Sequence, residues 1–268
     1  MNNHIAFPGL GLDFNVSRSL FSVFGMPVYS YGLIIAWGVI LGFIYAAREV
    51  KKQGISQDDF LNMFLIAVPV AIVSARLYYV IFSWDSYKDN LLEIFNIRGG
   101  GLAIYGGVIG ASASVLIYCV KKRINKGTVF DILAVGLLIG QAVGRWGNFV
   151  NGEAFGAQTT LPWAMTIKQD GMLVAYLVHP TFFYESILNA MGVLALCLYK
   201  RIKVFEGEVF CAYMVWYGFT RMIIEGLRAD SLYLGAFRIS QLISAILLVT
   251  GLVIIIKNRK KYLTKSRF

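Results

Sequence analysis

The chain has 268 residues, of which 57% are hydrophobic and only 15% charged, and its mean hydropathy is +0.64. A soluble domain carries about 25% charged residues, so this composition argues against a water-soluble globule and makes lipid the solvent of the outer surface. The net charge of +10 lies in short clusters between apolar runs, the pattern of cytoplasmic loops, and no basic patch interleaved with aromatics marks a nucleic-acid surface.

In chain order, the first residues, MNNHIAFPGLGLDFNVSR, lack the basic start, apolar core and small-residue cleavage site of a signal peptide. Residues 1–27 read as an extracytoplasmic segment. A helix needs about 20 apolar residues to cross the hydrocarbon core. Seven runs qualify: Val28–Ala47, Phe60–Phe82, Leu102–Val120, Phe130–Trp146, Thr181–Tyr199, Val209–Leu227 and Ile239–Ile256. The fourth is short and glycine-rich, and fits a re-entrant segment as well as a span. The expected fold is an all-α polytopic bundle of seven spans over 28–256, with a basic tail over 257–268.

The basic residues orient this bundle. Sixteen follow the first, third, fifth and seventh runs, among them Lys51, Lys52, Lys121, Lys122, Lys200, Arg201 and the tail from Lys257 to Arg267. The opposite side holds five: Arg18, Lys88, Arg98, Lys168 and Arg228. The asymmetry places the N-terminus outside and the C-terminus in the cytoplasm. Arg76, Arg145, Arg221 and Arg238 remain, within or at the edges of spans, as do Glu185 and Glu225. A charge at the bilayer centre costs about 2.5–3.5 kcal/mol or more, so each needs a partner or a wet cavity. For Arg238, at a helix start, pairing or snorkelling to the interface suffices.

Cys119, Cys197 and Cys211 sit in apolar runs without CxxC spacing and read as inert buried thiols. His4 and His179 have no partner at ligand spacing, so no metal site is expected.

Two polar constellations stand out. GRWGNFVNGEAFG, Gly144 to Gly156, sets Arg145, Asn148, Asn151 and Glu153 among four glycines at the end of a span. Glycine permits close backbone approach and positive φ, so this stretch is suited to wrap a polar head group at the membrane edge. Arg145 offers planar donors that match phosphate, the asparagines add neutral hydrogen bonds, and Glu153 orients the guanidinium or holds a hydroxyl. In the sixth run Tyr217, Arg221, Glu225 and Arg228 share one helical stripe. Arg221 and Glu225 are spaced to pair, which leaves Arg228 as an unpaired cation for an anionic ligand. RGGGLAIYGG, Arg98 to Gly107, presents Tyr105 but is no phosphate loop, and HPTFFYES puts Glu185 just inside the fifth run. Tyr31 alone reads as part of an aromatic interface belt.

These residues describe a cationic, hydrogen-bonding cavity suited to an anionic phospholipid head group. Residue chemistry leaves open whether that lipid is transported, bound or transformed.

The Gly144–Gly156 segment closely resembles the signature G-R-x-G-N-F-x-N-x-E-x-x-G of the phosphatidylglycerol–prolipoprotein diacylglyceryl transferase family. The resemblance extends to Tyr31–Gly32, the arginine of ARLYYVIF (Arg76), the glycines around Tyr105, HPTFFYE, and YGFTRMIIEGLR from Tyr217 to Arg228. It implies a multi-pass enzyme of the bacterial plasma membrane, working toward the outer leaflet. Such enzymes move the diacylglyceryl group of phosphatidylglycerol onto a lipobox cysteine of a prolipoprotein and release glycerol 1-phosphate, with no metal or organic cofactor. By the same resemblance Arg145 and Arg221 bind the lipid phosphate and act in catalysis. Asn148, Glu153, Tyr31 and Gly156 shape the head-group site, and Tyr217, Glu225 and Arg228 form a supporting network. Tyr105 stands where many members carry a histidine proposed to assist thiol deprotonation. Tyrosine ionises near pH ~10 and is a poor base at neutral pH, so Tyr105 enters as a hydroxyl at the catalytic site and the base lies elsewhere. The competing function is a transporter of an anionic lipid or other anion, against which the absence of an evident inverted repeat counts.

Overall fold

Long apolar runs in lipid must satisfy their backbone internally, and here they do so as helices. The structure, a computed structural model, describes residues 2–97, 100–169, 172–229, 231, 233–235 and 237–265. Arg98 and Arg267, used above in the charge balance, lie outside the described residues. In order, the elements are strands β1 (Asn2–Phe7), β2 (Leu12–Ser17), β3 (Ser19–Val23) and β4 (Met26–Tyr29), then helices α1 (Ser30–Lys52), α2 (Gln57–Phe82), α3 (Ile104–Lys122) and α4 (Lys126–Asn151). Strands β5 (Met165–Gln169) and β6 (Met172–Val178) precede α5 (Thr181–Tyr199) and α6 (Glu208–Leu227), and the small hairpin β7 (Tyr233–Leu234) and β8 (Phe237–Arg238) leads into α7 (Ile239–Lys265). The protein is thus a mostly helical, polytopic membrane protein. Among the described residues, six helices are long and apolar enough to cross a membrane. The exception is α6, of 20 residues, whose Glu208, Arg221 and Glu225 dilute its hydropathy.

Two expectations change. The fourth run is not short: α4 continues for 26 residues to Asn151, long and apolar enough to cross a membrane, and takes in most of the glycine motif. The all-α reading also misses the strands outside the helical body. Strands β1 to β6 are four to seven residues long, too short for hydropathy windows scaled to a bilayer.

The fold divides into two units, residues 1–46 with 130–268, and residues 47–129. In the first, a four-stranded antiparallel sheet of order β2-β1-β5-β6 buries Ile5, Met165, Ile167 and Val178 against Phe182 and Phe149. Asn3, fully buried, donates from Nδ2 to the Val150 carbonyl at 2.7 Å, which seats β1 on the last turn of α4. Close helix crossings come from small residues: a Cβ on Gly42 would lie 2.7 Å from the Gly136 carbonyl, and one on Gly218 would lie 2.5 Å from that of Ser244. At the end of α6 remote from Arg221, Glu208 and Asp131 are buried. Asp131 caps α6 through the amides of Gly207 (3.1 Å) and Phe210 (2.9 Å) and pairs with Lys203 at 3.2 Å. Glu208 accepts from the Val204 amide (2.6 Å), the Tyr199 hydroxyl (2.8 Å) and Arg259. Burial works to depress the pKa of Lys203, but its bonds to Glu206 and Asp131 outweigh this and the net shift is upward.

In the second unit α2 and α3 pack face to face, and Arg76 finds its partners within the protein. Buried on α2, it donates from Nε to the Ile94 carbonyl (2.9 Å), from Nη1 to those of Gly100 (2.8 Å) and Gly101 (3.0 Å), and from Nη2 to that of Glu93 (2.7 Å). Tyr87 stacks on its guanidinium at 5.1 Å. Gly100 (φ 90°) and Gly101 (φ 74°) give the loop its wrap around this side chain. Arg76→Ala strands these carbonyls and is expected to cost about 3 kcal/mol or more. Thermal unfolding in detergent should show a clearly lower midpoint, and an unchanged midpoint contradicts the clamp.

Candidate functional site

The site is assembled by three helices of the first unit. The motif arginine, Arg145, and Asn148 lie on the last turns of α4, while the chain leaves the helix only at Gly152 (φ 64°). A motif expected to wrap a ligand as a loop is therefore largely helical, and two of its glycines serve close packing. A Cβ on Gly147 would come within 2.8 Å of the Tyr31 ring of α1, so Tyr31 rests against the α4 backbone between Arg145 and Asn148. After the helix, Ala154 is held at φ 55°, a conformation that costs a side-chain-bearing residue about 1–2 kcal/mol. The Thr181 hydroxyl holds it there by donating to its carbonyl at 2.6 Å. Gly156 then meets two other segments: its amide donates to the His179 carbonyl at 2.9 Å and it bridges to Arg228. A Cβ there would lie 2.6 Å from that of His179, so Gly156 joins three segments at close quarters. Burial pushes the His179 imidazole below its usual pKa.

Helix α5 sits between two tryptophan locks. Trp146 of α4 donates to the Ser186 hydroxyl (3.1 Å), which in turn donates to the Ala142 carbonyl (2.8 Å). Trp216 of α6 donates to the Leu188 carbonyl (3.0 Å), and Gly192 leaves space for its indole. Between these locks projects Glu185, 7% exposed.

Glu185 is the hub. Its Oε2 pairs with Arg145, its Oε1 with Arg221 at 3.0 Å, and Arg228 approaches Oε1 at 3.8 Å. Arg221 also pairs with Glu225 at 2.6 Å, the contact its helical spacing predicts. Arg145 reaches Asn148 (3.2 Å), Asn148 reaches Glu153 (3.0 Å), and Asn151 reaches the same carboxylate (3.4 Å). Tyr217 stacks on Tyr213 with ring centres 5.8 Å apart and lines a small pocket with Glu185, Asn189, Thr220 and Arg221. Arg238 donates to the Glu225 carbonyl at the end of α6 and to the Tyr233 hydroxyl, the structural role its place at a helix start suggested.

Three points differ from the sequence reading. Arg228 is not an unpaired cation, since it shares Glu185. Glu153 reaches Arg145 by way of Asn148. Glu185, noted in the sequence only as a charge inside a span, is the residue on which the arginines converge. Of the expected site residues, Tyr31, Arg145, Asn148, Glu153, Gly156, Tyr217, Arg221, Glu225 and Arg228 all belong to this unit. Tyr105 belongs to the other, in the first turn of α3, 42% exposed and following the loop that Arg76 clamps. Among the described residues no group of three or more His, Cys, Asp or Glu is placed to hold a metal.

The class so defined is a polytopic membrane protein with a buried arginine–carboxylate cluster facing a hydrogen-bonding rim. Residues 18–257 match the family described as prolipoprotein diacylglyceryl transferase. The chain belongs to that family. It is 47% identical over 247 residues to the phosphatidylglycerol–prolipoprotein diacylglyceryl transferase of Finegoldia magna, covering 92% of this chain and 97% of that protein. The enzymes of the same name from Clostridioides difficile (strain 630) and Bacillus cereus (strain G9842) are 44% and 42% identical. They cover 92% and 90% of this chain, and 97% and 92% of their own lengths.

Proposed function

We propose that the chain transfers the diacylglyceryl group of phosphatidylglycerol to the lipobox cysteine thiol of a prolipoprotein and releases glycerol 1-phosphate. The observation that carries the proposal is the convergence of three arginines on Glu185. Three guanidiniums, Arg145, Arg221 and Arg228, converge on a cluster whose buried carboxylates are Glu185 and Glu225. An anion about 4 Å from a guanidinium gains ~4 kcal/mol at an effective dielectric of ~20. A phosphodiester supplies that anion.

The thiolate sulfur attacks the glycerol carbon that bears the phosphate, the C–S bond forms, and the C–O bond breaks. The bonding pair stays on the departing oxygen, so charge grows on the phosphate as the bond opens. Arg145 and Arg221 are assigned to that phosphate, where their fixed donors favour the transition state over the ground state. Asn148, Glu153 and Tyr31 are assigned to the head-group glycerol, and Gly156 holds the rim in register. Tyr217, Glu225 and Arg228 support the arginines. The transition state gains most in a water-poor site, and burial of Glu185 and Glu225 agrees with one.

The same reading gives seven spans including α6, a catalytic membrane domain over 28–256, an extracytoplasmic N-terminus and a cytoplasmic basic tail. The site then faces the outer leaflet of the bacterial plasma membrane, where a lipobox peptide emerges. No metal or organic cofactor enters the scheme.

The purified protein incubated with phosphatidylglycerol and a lipobox peptide is expected to form a thioether and release glycerol 1-phosphate. Movement of the lipid between leaflets without product decides for a transporter instead. For Tyr105 the expectation is a hydrogen bond to substrate and no part as a base. Tyr105→Phe should slow turnover about tenfold, the worth of one hydrogen bond to a charged group, with the shape of the pH profile unchanged. Tyr105→His should add a titration near pH ~6.5. Full activity of Tyr105→Phe at every pH removes the hydroxyl from the mechanism.

A further inference from the structure

We propose that the β3–β4 hairpin is an interfacial anchor, whose tip residue Phe24 inserts among the lipids of the leaflet at which α1 begins. The proposal rests on the chain being a membrane protein and is independent of the transferase reading.

The hairpin carries no charged residue from Ser19 to Tyr29. Its turn places Phe24 at φ 50° and Gly25 at φ 77°. Two successive positive φ values suit the tight turn of a two-stranded ribbon, and Asn-Gly or Gly-Gly is the usual occupant. A phenylalanine there is sterically costly. It is also 97% exposed, so among the described residues little packing offsets that cost. An aromatic ring that is both strained and stripped of neighbours is doubly unfavourable in water. Lipid removes the second penalty and gives the first a reason.

The neighbouring side chains agree. Leu20 is 60% exposed, Phe21 54% and Tyr29 58%, so the ribbon offers apolar surface well beyond its tip. The hairpin is also continuous with a membrane-crossing element, since β4 ends at Tyr29 and α1 starts at Ser30. The Ser30 amide donates to the Arg18 carbonyl at 2.9 Å and its hydroxyl to the Ser17 carbonyl at 2.7 Å. These bonds fasten the base of the hairpin to the helix start, so its apolar surface stays at the membrane end of α1. A two-stranded ribbon keeps unpaired amides and carbonyls along both edges, which the hydrocarbon core does not tolerate. Its depth is therefore that of the head groups and the first acyl carbons, where tyrosine and tryptophan also collect.

A nitroxide tests this in vesicles of phosphatidylglycerol and phosphatidylethanolamine. With Cys119, Cys197 and Cys211 replaced by alanine, a label is attached at Phe24→Cys or, for comparison, at Asn15→Cys on the exposed face of β2. The Phe24 label should collide readily with oxygen and be shielded from a water-soluble nickel chelate, and the Asn15 label should show the reverse. Equal access of the chelate to both labels overturns the proposal. So does spin–spin broadening at position 24, which makes the hairpin a contact between two copies of the chain. Should the cysteine-free protein fail to fold, Phe24→Trp in the otherwise native chain carries the test. Its added emission should be blue-shifted and quenched by lipids brominated near the head group, and emission as from water contradicts insertion.

Discussion

Arg221→Ala is expected to lower turnover by about 10²–10³-fold, the usual consequence of removing one fixed donor from developing negative charge. Arg145→Ala should do the same. Both side chains are held by partners within the protein, Arg221 between Glu185 and Glu225 and Arg145 between Glu185 and Asn148. Preorganisation of this kind costs nothing at the moment of reaction, and its loss falls on the chemical step. The deficit should therefore appear mainly in kcat, with a smaller change in KM for phosphatidylglycerol. Arg221→Lys keeps the charge without the planar fork and should recover only part of the rate. Each variant is assayed for membrane insertion and thermal unfolding beside its kinetics. Near-normal turnover in either alanine variant contradicts the assignment.

The second large effect belongs to Glu185. Glu185→Ala removes the acceptor that three arginines share and leaves buried positive charge uncompensated, a change that costs about 3–5 kcal/mol in comparable pairs. A marked fall in unfolding temperature is expected together with loss of turnover. Glu185→Gln separates the two contributions. The amide still accepts one hydrogen bond, but it cannot hold several guanidiniums and it raises the net charge of the cluster by one. Lipid should bind at least as well as before, while turnover falls about tenfold or more because Arg145 and Arg221 are no longer held in place. Unchanged kcat in Glu185→Gln contradicts a positioning role.

Much of this was legible from residue order alone, for a physical reason. Charges inside apolar runs are costly, so Arg145, Arg221, Glu185 and Glu225 announce themselves against leucine and valine. Helical spacing also foretold the Arg221–Glu225 pair. What escaped was convergence across helices. Nothing in HPTFFYES says that Glu185 faces α4 and α6 together, since that orientation depends on Trp146 with Ser186 and on Trp216 with Leu188. Likewise the RGGG glycines read only as the entry to the third run that presents Tyr105, and their order does not say that Gly100 and Gly101 curve around Arg76. The glycines of the long motif divide similarly, Gly147 serving close packing and Gly152 the helix exit. The small sheet left only a weak trace, since β1 alternates buried Asn3 and Ile5 with more exposed neighbours over a handful of residues. A strand pattern that short is lost beside spans of twenty apolar residues.

The central claim is that the cluster around Glu185 receives the phosphate of the lipid. A structure of the protein with a phosphatidylglycerol analogue whose scissile oxygen is replaced by methylene tests it most directly. The phosphate is predicted to lie within hydrogen-bond reach of both Arg145 and Arg221, with the head-group glycerol toward Asn148 and Glu153. A phosphate bound away from both arginines, in a protein that is active on the natural lipid, contradicts the account.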